Sequence, residues 1–175
     1  MNIFYLSTDP YTAARAMTNA HVCKMIVETA QLLSTAHLIL DGEPSAELSK
    51  SGRKQNQYRH PNSDILYKIT HVNHPSAVWA RQNISNYSWL YLHFLALCEQ
   101  YTDRYSRVHL TQSKLVNVLM HTPKSIPISP ITSMPQAMPE QYKDPDSVVA
   151  YRRYYEAEKL KLPVDIERYH RILEI

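Results

Sequence analysis

Eleven prolines partition this chain, and their positions limit where helices can run. Proline lacks a backbone donor and disfavours helix at the residue before it, so it suits the first helical turn and disrupts later ones. Six of the eleven fall in Thr122–Pro145. That stretch is predicted to be an extended, irregular connection wrapping a surface. It also carries Ile126, Ile128, Ile131, Met134 and Met138, which predict that it is docked. Asp9-Pro10 reads as an N-cap and first helical position, opening a helix over Tyr11–Ala20. Pro75 opens another from Ser76. Asp146 caps a helix over Ser147–Leu162, Pro163 stops it, and Val164–Ile175 forms a short helical tail.

Between these breaks, apolar residues recur at helical spacing. In His21–Leu40 they are Val22, Met25, Ile26, Leu32 and Leu33, and this helix is predicted to end at Asp41-Gly42, with Gly42 in a left-handed cap. Trp79–Tyr105 is the longest periodic segment and predicts a central helix, with Ile84, Tyr87, Leu90, Tyr91, Phe94, Leu97 and Cys98 in its stripe. Val108–Met120 predicts a shorter amphipathic helix. Asn2–Leu6 reads as a strand or a buried arm, and Glu43–Ser63 as a polar loop. With 44% hydrophobic residues among 175, one core is expected. The predicted fold is mainly α, a single-domain bundle of about five or six helices over 1–175, with a proline-rich wrapping segment at 122–145.

Two glycines leave no room for a P-loop or a dinucleotide fingerprint. Cys23 and Cys98 are isolated within apolar patterns and read as free thiols. No zinc signature can be written, and His71-x-x-His74 beside Pro75 is a loop pair rather than a helical ligand pair. Neither a metal nor a cofactor is expected. The N-terminus has no basic start followed by a long apolar run, and no membrane-spanning stretch is visible. A cytoplasmic protein without a membrane partner is expected. A net charge of +3 with nine His permits nucleic-acid contact without demanding it.

The groups able to carry chemistry concentrate on one helix. His21, Lys24 and Glu28 fall at i, i+3 and i+7 and share a face. A desolvated lysine amine can attack a sugar carbon as a Schiff-base nucleophile. A carboxylate can stabilise the developing sugar cation or activate water, and an imidazole can move protons. These are the groups a base-excising reaction uses. The same three residues also fit a solvated face with a Lys24–Glu28 ion pair and a capping His21. Two further clusters fit nucleic acid. Arg53, Lys54 and Arg59 form a basic knot suited to phosphate. Trp79 and Tyr87 can stack a base, while His74, Arg81, Asn83 and Asn86 can read base edges or phosphate. The alternative for this second cluster is a core tryptophan with amides and arginine tying down a helix start.

Over nearly its whole length the chain resembles a group of tailed-phage proteins, through H-V-x-K-M-x-x-E-T-A-Q-L-L-S-T-A-H at 21–37, H-P-S-A-V-W-x-R-x-N at 74–83, M-P-x-x-Y-K at 138–143 and A-Y-x-x-Y-Y-x-x-E-K at 150–159. More remotely it resembles the phage pyrimidine-dimer DNA glycosylases of the endonuclease V type. Their first long helix carries a His and, seven residues on, the catalytic Glu, a spacing that His21 and Glu28 hold. That family's nucleophile is the α-amine of a small second residue exposed by removal of Met. Residue 2 here is Asn, behind which Met is usually kept, so Met1 would carry the amine: either the amine chemistry is lost, or Lys24 replaces it, or water attacks directly and the enzyme only cleaves the base. The resemblance implies an enzyme acting on DNA bases or nucleotides in the cytoplasm of an infected host. Its most specific form is a glycosylase-like N-glycosidic hydrolase with Glu28 as catalytic carboxylate, assisted by Lys24 and His21. Two other classes stay open: a non-catalytic host-takeover or counter-defence protein that binds a host protein or a nucleotide, and a Mg²⁺-dependent nucleotide hydrolase.

Overall fold

The computed structural model describes residues 1–48 and 54–174, and the side chains of these except 46–48 and 54–57. Among the described residues the chain forms seven α-helices, a single 3-10 turn at Glu140–Tyr142 and one two-stranded hairpin. The fold is mainly α, as the proline and apolar spacing predict.

Helix α1 (Pro10–Arg15) starts where Asp9 accepts the Thr12 N–H at 2.7 Å. It is shorter than expected, because the chain turns at Ala16–Thr18 and restarts. Helix α2 (Asn19–Asp41) begins with the Thr18 hydroxyl accepting the His21 N–H at 3.2 Å. The central segment also divides. Helix α3 (Pro75–Ala80) ends at Arg81, and Asn83 caps helix α4 (Ile84–Tyr105) by accepting the Asn86 N–H at 2.9 Å. An asparagine inside an apolar stripe is what starts the new helix. Helix α5 is Leu110–Leu119, and helix α6 (Ser147–Glu158) is capped by Asp146 as predicted. Pro163 does more than stop a helix: it is the first residue of helix α7 (Pro163–Leu173).

Helices α2 and α4, each about 33–35 Å long at about 1.5 Å per residue, pack against each other at the centre. Helix α1 lies on α4, while α3 and α5 lie on α2. Met25, Ile26, Leu32 and Leu33 from α2 meet Leu90, Phe94 and Leu97 from α4 in a core fully shielded from water. Each such side chain contributes about 1.5–3 kcal/mol by leaving water. The stripe that these residues occupy leaves His21, Lys24 and Glu28 on the outer side of α2.

Two parts of the polar regions differ from expectation. Glu43–Leu48 (β1) and Lys54–Arg59 (β2) form an antiparallel hairpin, with Glu43 opposite Arg59 and Leu48 opposite Lys54. Its backbone pairs without the apolar alternation that would announce a strand. Gly42, just before it, is not left-handed: φ is −89° and ψ 152°. Glycine is needed there for space, since a Cβ would run into the Leu38 carbonyl and come within 3.0 Å of Tyr58 Cβ.

The proline-rich segment is docked, as its apolar residues predict. Asn86 holds it with two bonds, donating to Thr132 Oγ1 at 2.8 Å and accepting the Thr132 N–H at 2.9 Å, and donates a third to the Trp79 carbonyl of α3 at 2.9 Å. Tyr151 donates to the Pro135 carbonyl at 2.7 Å. Ile126 and Met134 are buried beneath it, whereas Ile128 and Ile131 face solvent. The N-terminal arm is a buried arm rather than a strand. Ile3 and Leu6 enter the core, and Arg152 donates to the Leu6 carbonyl at 2.8 Å.

Candidate active site

The outer face of α2 is framed by the N-terminal arm, the end of α6 and the turn into α3. Lys24 and Glu28 meet at 3.2 Å as an i, i+4 ion pair. Their exposures differ in a way that matters: the Lys24 side chain is 61% exposed, that of Glu28 only 18%. Lys24 therefore lacks the desolvated pocket that activates an amine. Glu28 is the sheltered member of the pair.

His21 is held by aromatic neighbours. Its ring stacks on Phe4 with centroids 4.8 Å apart, and Tyr155 meets Phe4 edge-on at 5.1 Å. Phe4 adopts φ 55°, a left-handed conformation that costs a non-glycine residue about 1–2 kcal/mol. The stacked rings hold it there. The Tyr155 hydroxyl accepts the Thr18 N–H at 2.9 Å and lies 2.7 Å from His21 Nδ1. The Thr18 N–H takes one lone pair of the Tyr155 oxygen, so the hydroxyl keeps its own proton to give to His21 Nδ1; in that arrangement the neutral imidazole carries its hydrogen on Nε2. Burial pushes the Tyr155 pKa up to about 12, which keeps that proton in place. Burial, then the charges of Lys24 and Lys159, push His21 down to about 4, against an opposing pull from Glu28 and Asp165. His21 is thus a neutral, hydrogen-bonded imidazole at pH 7 rather than an imidazolium.

A second imidazole approaches from the other side. His74 caps α3, its Nδ1 accepting the Ser76 N–H at 3.2 Å. Its pKa is lowered by burial, then by the positive charge of the Met1 amino group and by His71, while Glu28 raises it. Met1, Glu28, His71 and His74 therefore share one electrostatic neighbourhood, although they lie up to 73 positions apart in sequence. Arg81 is tied to the rim of this region, donating to the Val72 carbonyl at 2.8 Å. A cleft of about 520 Å³ lies along the 63–72 segment, walled by Tyr58, Leu66, Tyr67 and His71.

The other sequence candidates separate into three groups. Arg53 lies outside the described residues, and so does the side chain of Lys54. Arg59 is exposed at the end of β2. Trp79, Asn83, Asn86 and Tyr87 are buried, which corrects the reading of them as base contacts. Trp79 donates its indole N–H to the Thr132 carbonyl at 3.1 Å and sits edge-on to Trp89. Tyr87 donates to the Leu119 carbonyl at 2.9 Å. Asn83 Oδ1 and the Asn86 amide hold the start of α4 and the proline-rich segment, and Tyr87 ties α4 to the end of α5, so these buried side chains present no stacking platform. Phe4, His71 and Tyr155 are the neighbours that residue-by-residue reasoning missed. The repeated Tyr154-Tyr155 and the His71–His74 spacing were the signals available.

A sheltered carboxylate in a neighbourhood with two amino groups and two imidazoles can stabilise a sugar cation, and an unprotonated amine there can attack the sugar carbon to form an imine. A model of the pyrimidine dimer DNA glycosylase family matches residues 1–113, which include every member of this neighbourhood except the aromatic end of α6. No curated protein and no solved structure matches the chain. On the strength of a family match over well more than half of its length, the chain belongs to the pyrimidine dimer DNA glycosylases, a family whose partner is DNA.

Proposed function

We propose that this protein excises a damaged pyrimidine from DNA by breaking the N-glycosidic bond, with Glu28 as the catalytic carboxylate. The observation that carries this reading is the sheltered Glu28 carboxylate, paired with Lys24 at 3.2 Å and close enough to His74 for its charge to be felt there, against that of the Met1 amine. In the proposed step an unprotonated amine bonds to the sugar C1′ as the C1′–N bond breaks. The base leaves with the electron pair and takes a proton. Glu28 stabilises the positive charge that develops on the sugar, and opening of the sugar ring leaves an imine. Of the two amines, that of Met1 is the better nucleophile. Lys24 is exposed and engaged, and the ordinary pKa of an α-amine lies about two and a half units below that of a lysine. His21 and His74 serve as neutral donors near the reacting groups, and Arg59 with the basic knot (Arg53 and Lys54) contacts phosphate.

Borohydride trapping on ultraviolet-irradiated duplex DNA tests the scheme. A covalent adduct that persists in Lys24→Ala and maps to residue 1 is expected. Glu28→Gln is expected to slow base release by about 10²-fold or more, in the range typical of a lost acid–base group. Full base release by Glu28→Gln would remove Glu28 from the mechanism, and loss of the adduct in Lys24→Ala would transfer the nucleophile to Lys24.

A further inference from the structure

At the far end of α2 from the start of its catalytic face, three side chains from separate parts of the sequence converge. His37 and Asp41 lie one helical turn apart, and His60 follows directly on β2. One donor atom from each lies within 4.8 Å of the others. We propose that His37, Asp41 and His60 form a binding site for a divalent transition-metal ion of the zinc type. Two imidazole nitrogens and one carboxylate oxygen are a donor set that zinc accepts, with a fourth position left for water. Zinc bonds of about 2.0–2.2 Å set tetrahedral donors about 3.4 Å apart, so a closure of at most about 1.4 Å from the 4.8 Å limit seats the ion.

The surrounding contacts prepare the donors. The Tyr87 hydroxyl gives its proton to the Leu119 carbonyl at 2.9 Å, so toward His37 it can only accept. It accepts from His37 Nε2–H at 2.9 Å, which leaves the lone pair of His37 on Nδ1. A ligand imidazole whose other nitrogen is held by an outer partner is the usual arrangement in metal sites. Asp41 is fixed in the same manner: Oδ2 accepts the Lys124 N–H at 2.6 Å and Oδ1 accepts the Ser125 N–H at 2.9 Å. Each of its oxygens keeps a further lone pair. One contact must give way. His60 Nδ1 accepts the Asn62 N–H at 3.0 Å, so the ring proton sits on Nε2. Coordination through Nε2 moves that proton to Nδ1 and displaces the Asn62 N–H, with no net proton released. His121 stands near enough for its charge to be felt at His37.

The placement also gives the ion a task. Asp41 precedes β1 by two residues and His60 follows β2 by one, so the ligands bracket the hairpin. An ion held between them closes the foot of the hairpin onto α2. Because the unfolded chain does not bring the three together, binding stabilises the folded state.

Equilibrium dialysis of the untagged full-length chain against Zn²⁺ should give saturable binding of one ion per chain, with a raised thermal midpoint. Co²⁺ in its place should give the visible absorption bands of a low-coordinate site. His60→Gln and Asp41→Asn should each weaken binding tenfold or more, and Tyr87→Phe, which keeps every ligand and the shape of the core, by about tenfold. His71→Gln should leave it unchanged. Absence of saturable Zn²⁺ binding overturns the proposal. So does binding that survives both His60→Gln and Asp41→Asn, or that falls equally in His71→Gln. Circular dichroism on each variant identifies any loss that comes from unfolding, and Tyr87→Phe then supplies the deciding comparison.

Discussion

The imidazole of His93 lies wholly inside the molecule, stacked on Trp89 with ring centroids 5.1 Å apart. Its Nδ1–H is donated to the Pro10 carbonyl at 3.0 Å, and its Nε2 faces no partner. Burial pushes its pKa down to about 4, outweighing the opposite pull of the Pro10 carbonyl. In the unfolded chain the same group titrates near 6.5. Between those values the unfolded state holds the extra proton, so this contribution to stability is complete above about pH 6.5 and is lost as pH falls toward 4. At pH 5 the loss from this one residue is about 2 kcal/mol. Urea unfolding at pH 7.5 and pH 5.0 should show that drop, and His93→Gln, which has nothing to titrate, should show a smaller one. His21 acts in the same direction, weakened by its partial exposure to solvent. Sequence spacing alone identified the stripe of His21, Lys24 and Glu28, because side chains three and seven apart on a helix must share a face. It left Trp79 and Tyr87 between two readings, a stacking platform and a core, and their burial decides for the core. An aromatic residue among polar ones has the same local pattern whether its ring meets a base or a neighbouring helix.

Helix starts were the most legible elements, because each is written in local chemistry. Asp9-Pro10, Pro75 and Asp146 each stand where the chain turns helical. The hairpin was not legible. Glu-Pro-Ser-Ala-Glu-Leu and Lys-Gln-Asn-Gln-Tyr-Arg carry no alternating apolar side chains, so only pairing between the two strands reveals them. The break between α3 and α4 was hidden for another reason: apolar spacing runs on either side of it, and one buried asparagine decides the boundary. The proline-rich segment shows how much an element can depend on a single side chain. Asn86→Ala removes all three bonds of that amide and leaves the Thr132 N–H without a partner. The expected cost is about 2–3 kcal/mol, read as a shift in the urea midpoint. Protease cleavage near residues 126–135 should rise with it, while Ser88→Ala, at an exposed position on the same helix, should change neither.

Across the whole molecule, the part that matches the family is not the part that folds alone. Residues 1–113 hold Glu28, Lys24, His21 and His74, yet Tyr151, Tyr155 and Tyr169 from α6 and α7 are fully buried. A fragment ending at residue 113 would leave the cavities of three tyrosines open, each large enough to cost about 3–5 kcal/mol. Such a fragment is expected to show no cooperative thermal transition by circular dichroism, whereas the full chain shows one. The reason lies in the seam between the ends of the chain. Asn2 bonds to Ala137, Leu6 to Arg152, Thr18 to Tyr155 and Asn19 to Asp165. When two related genes recombine at a single crossover between these regions, the product joins a beginning from one parent to an ending from the other, and every pair in the seam is remade at once. Such a chimera is therefore expected to be less stable than either parent unless both of its ends come from the same one.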